Sequence, residues 1–354
     1  LVYDDVVTGN DIETWITGFE TDIGKFDLNK MDFEIDKIDL TGVVATVIQK
    51  TPLTIPIDSL ALEADNSSND LAIKLGPVNL LDIQFQYAGE VAAMEAVVKL
   101  KELELLTNNI DLKNQLIEIE MLEMNQTVGF IQLNAKNNST TELQSPVQEV
   151  ADPASDNWRI IARKINLNEN HIKFSDNNVP RQSTGIDYAH IDADDLSIHI
   201  NDLYYTTDTI SGEINKGNFK EQSGFQLNKL QGKFLYTATG ASITNFLLET
   251  PGTILKNSLS ASYPSIESIS SHPENLQLSV QLSNSKVHVK DILLIAPDLS
   301  EQPVLQNPDM VLYLNTHLNG SLNNLSIPQF KISGAGNTVI DINGLLGGLP
   351  DINK

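Results

Sequence analysis

The sequence predicts an all-β protein with few or no helices. Apolar residues recur at every second position over most of the chain, which is the period of strands with one apolar face. A turn-forming Gly, Asn or Asp separates nearly every pair of these runs. Hydrophobic residues make up 41 % of the 354 positions, too many and too regularly placed for a disordered chain.

Taken in order, the first strands lie between Lys25 and Gly42, where Phe26 and Leu28 share one parity and Phe33 and Ile35 the other. The change near Lys30-Met31 predicts a bulge or turn between two strands. Val43 to Ile48 continues in β-branched residues, and Thr51-Pro52 with Ile55-Pro56 marks an edge or a connection. Asp65 to Asp70 is a polar loop, and Leu71 to Tyr87 gives another strand pair. Residues 88–106 are ambiguous: Glu90 to Leu106 consists of good helix formers, yet Met94, Ala96, Val98 and Leu100 alternate. Strand-like neighbours on both sides favour a strand, with a helix as the alternative. Asn137 to Asn157 is rich in Asn, Ser, Thr, Asp and Pro and reads as a linker or long loop. The expected organisation is therefore a first β-segment over 1–145, a linker over 146–157 and a second β-segment over 158–354.

The second segment opens with Trp158 to Asp176, in which Ile165 and Leu167, then Ile172 and Phe174, alternate with polar residues. The break Asn168-Glu169-Asn170 predicts a hairpin, with a bulged continuous strand as the lesser reading. The same pattern repeats to Thr250. Leu276 to Leu282, then Val287, Val289 and the run Ile292 to Ile295, read as further strands, followed by Val311 to Gly334 and Ile340 to Gly344. An internal echo links Val78 to Phe85 with Ile165 to Phe174, and Leu103 to Leu112 with Leu196 to Tyr205. A spacing of roughly 90 residues fits a repeated supersecondary block better than a solenoid.

Charge and residue usage narrow the function. Lys plus Arg number 23 against 47 Asp plus Glu, a net charge of −24. Nucleic-acid binding and docking by charge on an anionic lipid surface need clustered cations, so both are disfavoured. The absence of cysteine removes disulfides, thiolate metal sites and cysteine nucleophiles. No apolar run of about 18 residues predicts a membrane-spanning helix. The chain opens on Leu1 without a charged-then-apolar leader and reads as a piece of a longer protein.

Chemical motifs are sparse. None of the six histidines pairs at a ligand spacing, and His190 and His199 fall on opposite parities. Asp192, Asp194 and Asp195 lack the Gly and closing Glu of a calcium loop. Gly334-Ala-Gly336 is followed by no phosphate-binding residues and reads as a turn. There is no Gly-x-Ser-x-Gly elbow and no His-Glu-x-x-His. The sequons at Asn125, Asn138, Asn319 and Asn324 are what an Asn-rich chain yields by chance. The reading is a non-enzyme without a cofactor or metal. What remains is many strands with one apolar side and no evident helices to cover it. Such a sheet closes into a sandwich, pairs with a second protein, or forms a trough that holds something apolar.

Trp158 through Asp176, Ile191 to Leu203, the Ser223-Gly-Phe-Gln-Leu227 turn and Ile243 to Thr250 together resemble the AsmA-like superfamily, specifically the TamB-like translocation and assembly module proteins of Bacteroidetes-type bacteria. Ile38-Asp-Leu-Thr-Gly42 and Leu318 to Leu325 fit the same family. The resemblance covers most of the chain and is one of strand pattern and Asn-rich turns, with no catalytic signature. It implies an elongated, curled antiparallel β-sheet, a β-groove with an apolar inner face. It further implies a periplasmic location, anchorage in the inner membrane through an N-terminal helix outside this chain, and an outer-membrane β-barrel partner. The implied function is passive conduction of phospholipids between the two membranes, with β-strand pairing to nascent outer-membrane proteins as the alternative.

The physical reading agrees. At about ten to twelve residues per strand and turn the chain would form roughly 30 strands, an open ribbon on the order of 100 Å long at ~4.8 Å per strand. The residues expected to line the groove and meet phospholipid acyl chains are Leu196, Ile198, Ile200, Ile210, Ile214, Phe225, Leu227, Phe234, Tyr236, Phe246 and Leu248.

Overall fold

In the computed structural model the protein is all-β, with two short α-helices among the described residues. The structure describes residues 2–4, 9–29, 31–51, 72–90, 92–134, 158–334, 336 and 338–349. The expected linker 146–157, the polar loop 65–70 and the Ile55-Pro56 connection lie outside them. Backbone proximity divides the chain into two units: Leu1–Ile161 with Leu167–Arg181 and Ala189–Asp192, and Ala162–Asn166 with Gln182–Tyr188 and Ala193–Lys354. Each is taken by itself.

Unit 1 contains β1 (Val2–Asp4), β2 (Asp11–Asp27), β3 (Asp32–Gln49), β4 (Ala72–Leu75), β5 (Val78–Gly89), β6 (Met94–Asp111), β7 (Leu116–Asn125), β8 (Val128–Leu133) and most of β9 (Arg159–Asp176). The β2/β3 hairpin turns where the sequence places it. Phe26 pairs with Phe33, their rings edge-to-face at 5.1 Å. Residues 94–106 belong to β6, so tertiary pairing overrides their helix propensity. The expected strand pair in 71–87 is arranged differently. β4 and β5 both run parallel to β3, because Gly76-Pro77 interrupts one line of strand instead of turning it back. Gly76 N–H donates to Ile35 O and Ile38 N–H to Pro77 O, so the ladder survives the proline. β8 runs parallel to β9, and the sheet of this unit is mixed rather than purely antiparallel.

The hairpin expected at Asn168-Glu169-Asn170 does not form. β9 runs unbroken through these residues, with Glu169 at φ 51° beside Gln126 at φ 51°. Gln126 N–H donates to Asn168 O, and the Asn168 amide donates to Asn125 Oδ1 at 2.8 Å. A left-handed residue inside a strand absorbs one position and bends it without reversing it. Asp82, Asp195, Asp202, Asn245 and Asn284 do the same elsewhere.

Unit 2 contains β10 (Asp192–Tyr205, from Ala193), β11 (Thr209–Glu221), β12 (Gln226–Leu227), β13 (Lys229–Thr237), β14 (Gly240–Glu249), β15 (Ile254–Ser262), β16 (Gln277–His288), β17 (Val311–Ser321), β18 (Asn324–Ser333) and β19 (Val339–Gly347). From β10 to β19 each strand pairs antiparallel with the next in chain order, except that β12 and β13 both pair with β11. The strand total among the described residues is 19, fewer than expected, because bulges let single strands reach 18 residues.

Two helices interrupt the meander. α1 (Ile266–Ser271) is opened by a capping box between Ser265 and Ser268. α2 (Val289–Ile295) replaces the strand expected there. Val289, Ile292 and Leu293 fall on one helical face and pack with Leu305, Met310, Leu312 and Ile332. Asp291 fixes its first turn by accepting from Thr250 Oγ1 and Thr253 Oγ1, both at 2.6 Å. Val289 is fully buried, whereas most side chains of the described strands keep partial exposure.

Gly320 in β17 sits at φ 123°, and an added Cβ would lie 2.5 Å from Asn324 O. Gly344 in β19 has nothing within 4 Å of that position. Gly320→Ala should therefore cost about 1–3 kcal/mol in urea unfolding, whereas Gly344→Ala should stay within about 0.5 kcal/mol of the parent.

Candidate functional site: an apolar side of unit 2

Residues directly opposite each other on paired strands share one side of the sheet, so the registers decide which side chains lie together. One row runs Ile210, Tyr236, Ala241, Ala261, Leu278, Gly320, Leu325, Leu346. The next runs Phe234, Ile243, Leu259, Val280, Leu318. Ile198 faces Gly217 and Ile200 faces Ile214, while Leu230, Leu248 and Leu255 form a further row. Gly212 lies between Phe234 and Ile200, and a Cβ there would approach both within 3.2 Å.

The opposite side is polar. Glu213, Lys233 and Thr244 pair in register, with Lys233 Nζ 3.5 Å from Glu213. The row Leu235, Ser242, Ser260, Ser279, Asn319 lines a shallow recess on that side. Substituents differ so sharply between the two sides because the bulges in neighbouring strands occur at matching columns, which keeps the alternation in step.

All eleven residues singled out from the sequence belong to this unit. Ile198, Ile200, Ile210, Ile214, Phe234, Tyr236 and Leu248 are partly exposed. Leu196, Phe225, Leu227 and Phe246 are 6–9 % exposed and serve as packing within the layer. Leu227 pairs with Phe219, whose ring lies 6.0 Å from Phe225. The sequence selection stopped too early: Leu259, Val280, Leu318, Leu325, Ile332 and the exposed Ile340 and Ile342 continue the same side through β19. Their alternation was visible, but pairing order was needed to join them. At the β16/β17 connection, α2 lies over Leu312 and Ile332 of this side.

Unit 1 has rows of its own, including Val47, Tyr87, Ala96, Ile131, Phe174 and Ala45, Phe85, Val98, Gly129, Ile172. Phe85, Ile131 and Ile172 remain 37–46 % exposed. A polar cluster also stands out. Asp192 is 2.7 Å from His171 Nε2 and 2.9 Å from Lys173 Nζ. The Lys173 hydrogen bond, assisted by His171, holds the Asp192 carboxyl below its ordinary 3.8 despite partial burial.

Comparison with protein-family models, curated proteins and solved structures finds no match to this chain.

Because the folded pKa of Asp192 lies below the unfolded one, its contribution is complete above the ordinary carboxylate pKa and disappears as pH falls through the folded value. Asp192→Asn should cost on the order of 0.5–1 kcal/mol at pH 7, allowing for solvent screening. Chemical unfolding at pH 7, 4 and 2.5 should show that difference shrinking to nothing.

Proposed function

We propose that this chain is a segment of a bridge-like lipid transfer protein of the bacterial envelope, and that unit 2 holds phospholipid acyl chains on its apolar side. One observation carries the reading: register-matched apolar rows extend from β10 to β19, and most of their side chains stay partly exposed. Each CH₂ laid on such a surface gains about 0.8 kcal/mol. Because the attraction is non-directional, a chain can pass from one row to the next without losing a specific partner. No nucleotide motif accompanies the rows, so the movement is passive and any direction comes from elsewhere. In this reading, which the resemblance to TamB-like proteins supports, the segment stands in the periplasm, attached to the inner membrane through a part outside this chain and meeting an outer-membrane barrel.

A second reading, a scaffold for outer-membrane protein assembly, rests on β19. All nine of its residues are exposed, and β18 is its partner among the described residues. A strand with an open edge can accept an added strand. Crosslinking would separate the readings, since acyl-chain probes would label Ile200 and Phe234, and strand addition would label β19.

Native mass spectrometry of gently purified protein should detect bound phospholipid. Ile198→Asp should lower the bound fraction several-fold while leaving the circular dichroism of the sheet intact and stability within about 1 kcal/mol. Lipid-free protein, or global unfolding of the variant, would instead point to a closed packing role for Ile198.

A further inference from the structure

The polar side of unit 2 changes character along the strand order. Strands β10 to β13 carry paired charges, with Lys220 Nζ 2.6 Å from Asp195 and Lys233 Nζ 3.5 Å from Glu213. Further on, Ser242, Ser260, Ser279 and Asn319 form one row of that side, and Ser262 and Gln277 belong to the next. Neither row contains an Asp, Glu, Lys or Arg from β14 to β18, in a chain whose net charge is −24. The recess lined by both rows has a volume of about 460 Å³, and none of its lining residues is charged. Small-molecule sites usually measure roughly 300–1,000 Å³. Side chains opposite each other on neighbouring strands lie near enough to hydrogen-bond. Yet those of Ser242, Ser260, Ser262, Gln277, Ser279 and Asn319 make no hydrogen bond to any described residue. Other amides of unit 2 do find partners: Gln231 donates to Asn215 O at 2.7 Å and Asn343 to Pro328 O at 2.9 Å.

We infer that this recess binds a neutral oligosaccharide. It lies on the side opposite the apolar rows, so the inference stands apart from the lipid reading. An anionic ligand would find no cation among the lining residues, and a cationic one no carboxylate. Neither would gain the charge-assisted bonds that offset the desolvation of an ion. An apolar ligand would strip water from the hydroxyls and amides and leave them without partners, which is costly. What matches is an uncharged molecule whose groups both donate and accept. Serine hydroxyls and the amides of Gln277 and Asn319 do both, and so do the hydroxyls of a sugar. Neighbouring strands repeat at ~4.8 Å, so Ser242 to Asn319 spreads four hydrogen-bonding groups over about 14 Å. That length suits a short chain of sugar rings better than a single one. Leu235, 44 % exposed at the β13 end of the row, supplies apolar surface for the C–H face of a ring, the mixture of apolar wall and few polar groups that orients a bound molecule.

The test is titration calorimetry and saturation-transfer NMR on the 354-residue chain, with maltotetraose, cellotetraose and chitotetraose as neutral probes and tetragalacturonate as the charged control. At least one neutral tetrasaccharide should bind with a Kd of about 1 mM or tighter. That Kd should hold steady from low to high salt, because no ion pair takes part. Ser260→Ala combined with Ser279→Ala should weaken the binding about ten-fold, the effect of losing two hydrogen bonds. Gln329→Ala, at an exposed position that pairs with His317 outside the recess, should leave it unchanged. Circular dichroism of the variants should match the parent, and Gln277→Ala, a single exposed position in the recess, repeats the comparison should the double variant unfold. Phospholipid carried on the apolar side should be the same in all of them, which keeps the two readings separable. No binding of any neutral probe at about 10 mM, a preference for tetragalacturonate, or an undiminished Kd in the recess variants would overturn the inference. Self-association of the chain that the double variant abolishes would give the face to a second copy and overturn it as well.

Discussion

Everything in unit 2 depends on the backbone ladder between neighbours. A globular domain normally encloses a core between two layers, but here the one large side chain that is fully buried among the described residues, Val289, belongs to a small cluster that α2 makes with Leu305 and Leu312. Strands such as β13 to β16 are held by hydrogen bonds and by side chains leaning on the next strand, as Ile243 leans between Phe234 and Leu259. Each such pair is worth roughly 0.2–1 kcal/mol. Stability comes from many modest lateral contacts, and the apolar side keeps part of its surface open.

Much of this was legible in the sequence. Strict alternation in stretches such as Leu196 to Ile200 and Leu276 to Leu282 specifies both a strand and the side it buries, and neither depends on distant partners. Even Met94 to Leu106, with its helix-forming composition, went with its alternation. The acidic balance likewise has a structural counterpart in exposed carboxylates such as Asp194, Asp195 and Asp208.

What the sequence hid lies in particular residues. Asn168-Glu169-Asn170 has the composition of a turn, yet one left-handed residue there bends β9 and the chain continues. Turn formers and bulge formers are the same residue types, because both supply positive φ, and only the partner strand distinguishes them. Gly76-Pro77 posed the complementary problem, since it breaks a strand into two that stay collinear beside β3. In α2, a run of Ile and Leu fits either period when read alone. The contact of Val289 with Leu305 and Leu312 settles it, and those partners come from segments 16 and more residues away. The apolar rows suffered the same loss: each residue was visible, but continuity through β19 exists only once the registers are known.

The chain-order pairing of unit 2 also bears on how the protein comes apart and how it can change. Each strand is stabilised by the one before and the one after, so cohesion resembles that of a linear array, in which terms add locally and propagate from any starting point. Melting of such an array frays strand by strand from its least supported members, and a single transition temperature describes it poorly. By the same logic, a whole hairpin could be gained or lost in evolution at the cost of two seams, lengthening or shortening the apolar side without redesigning the remainder.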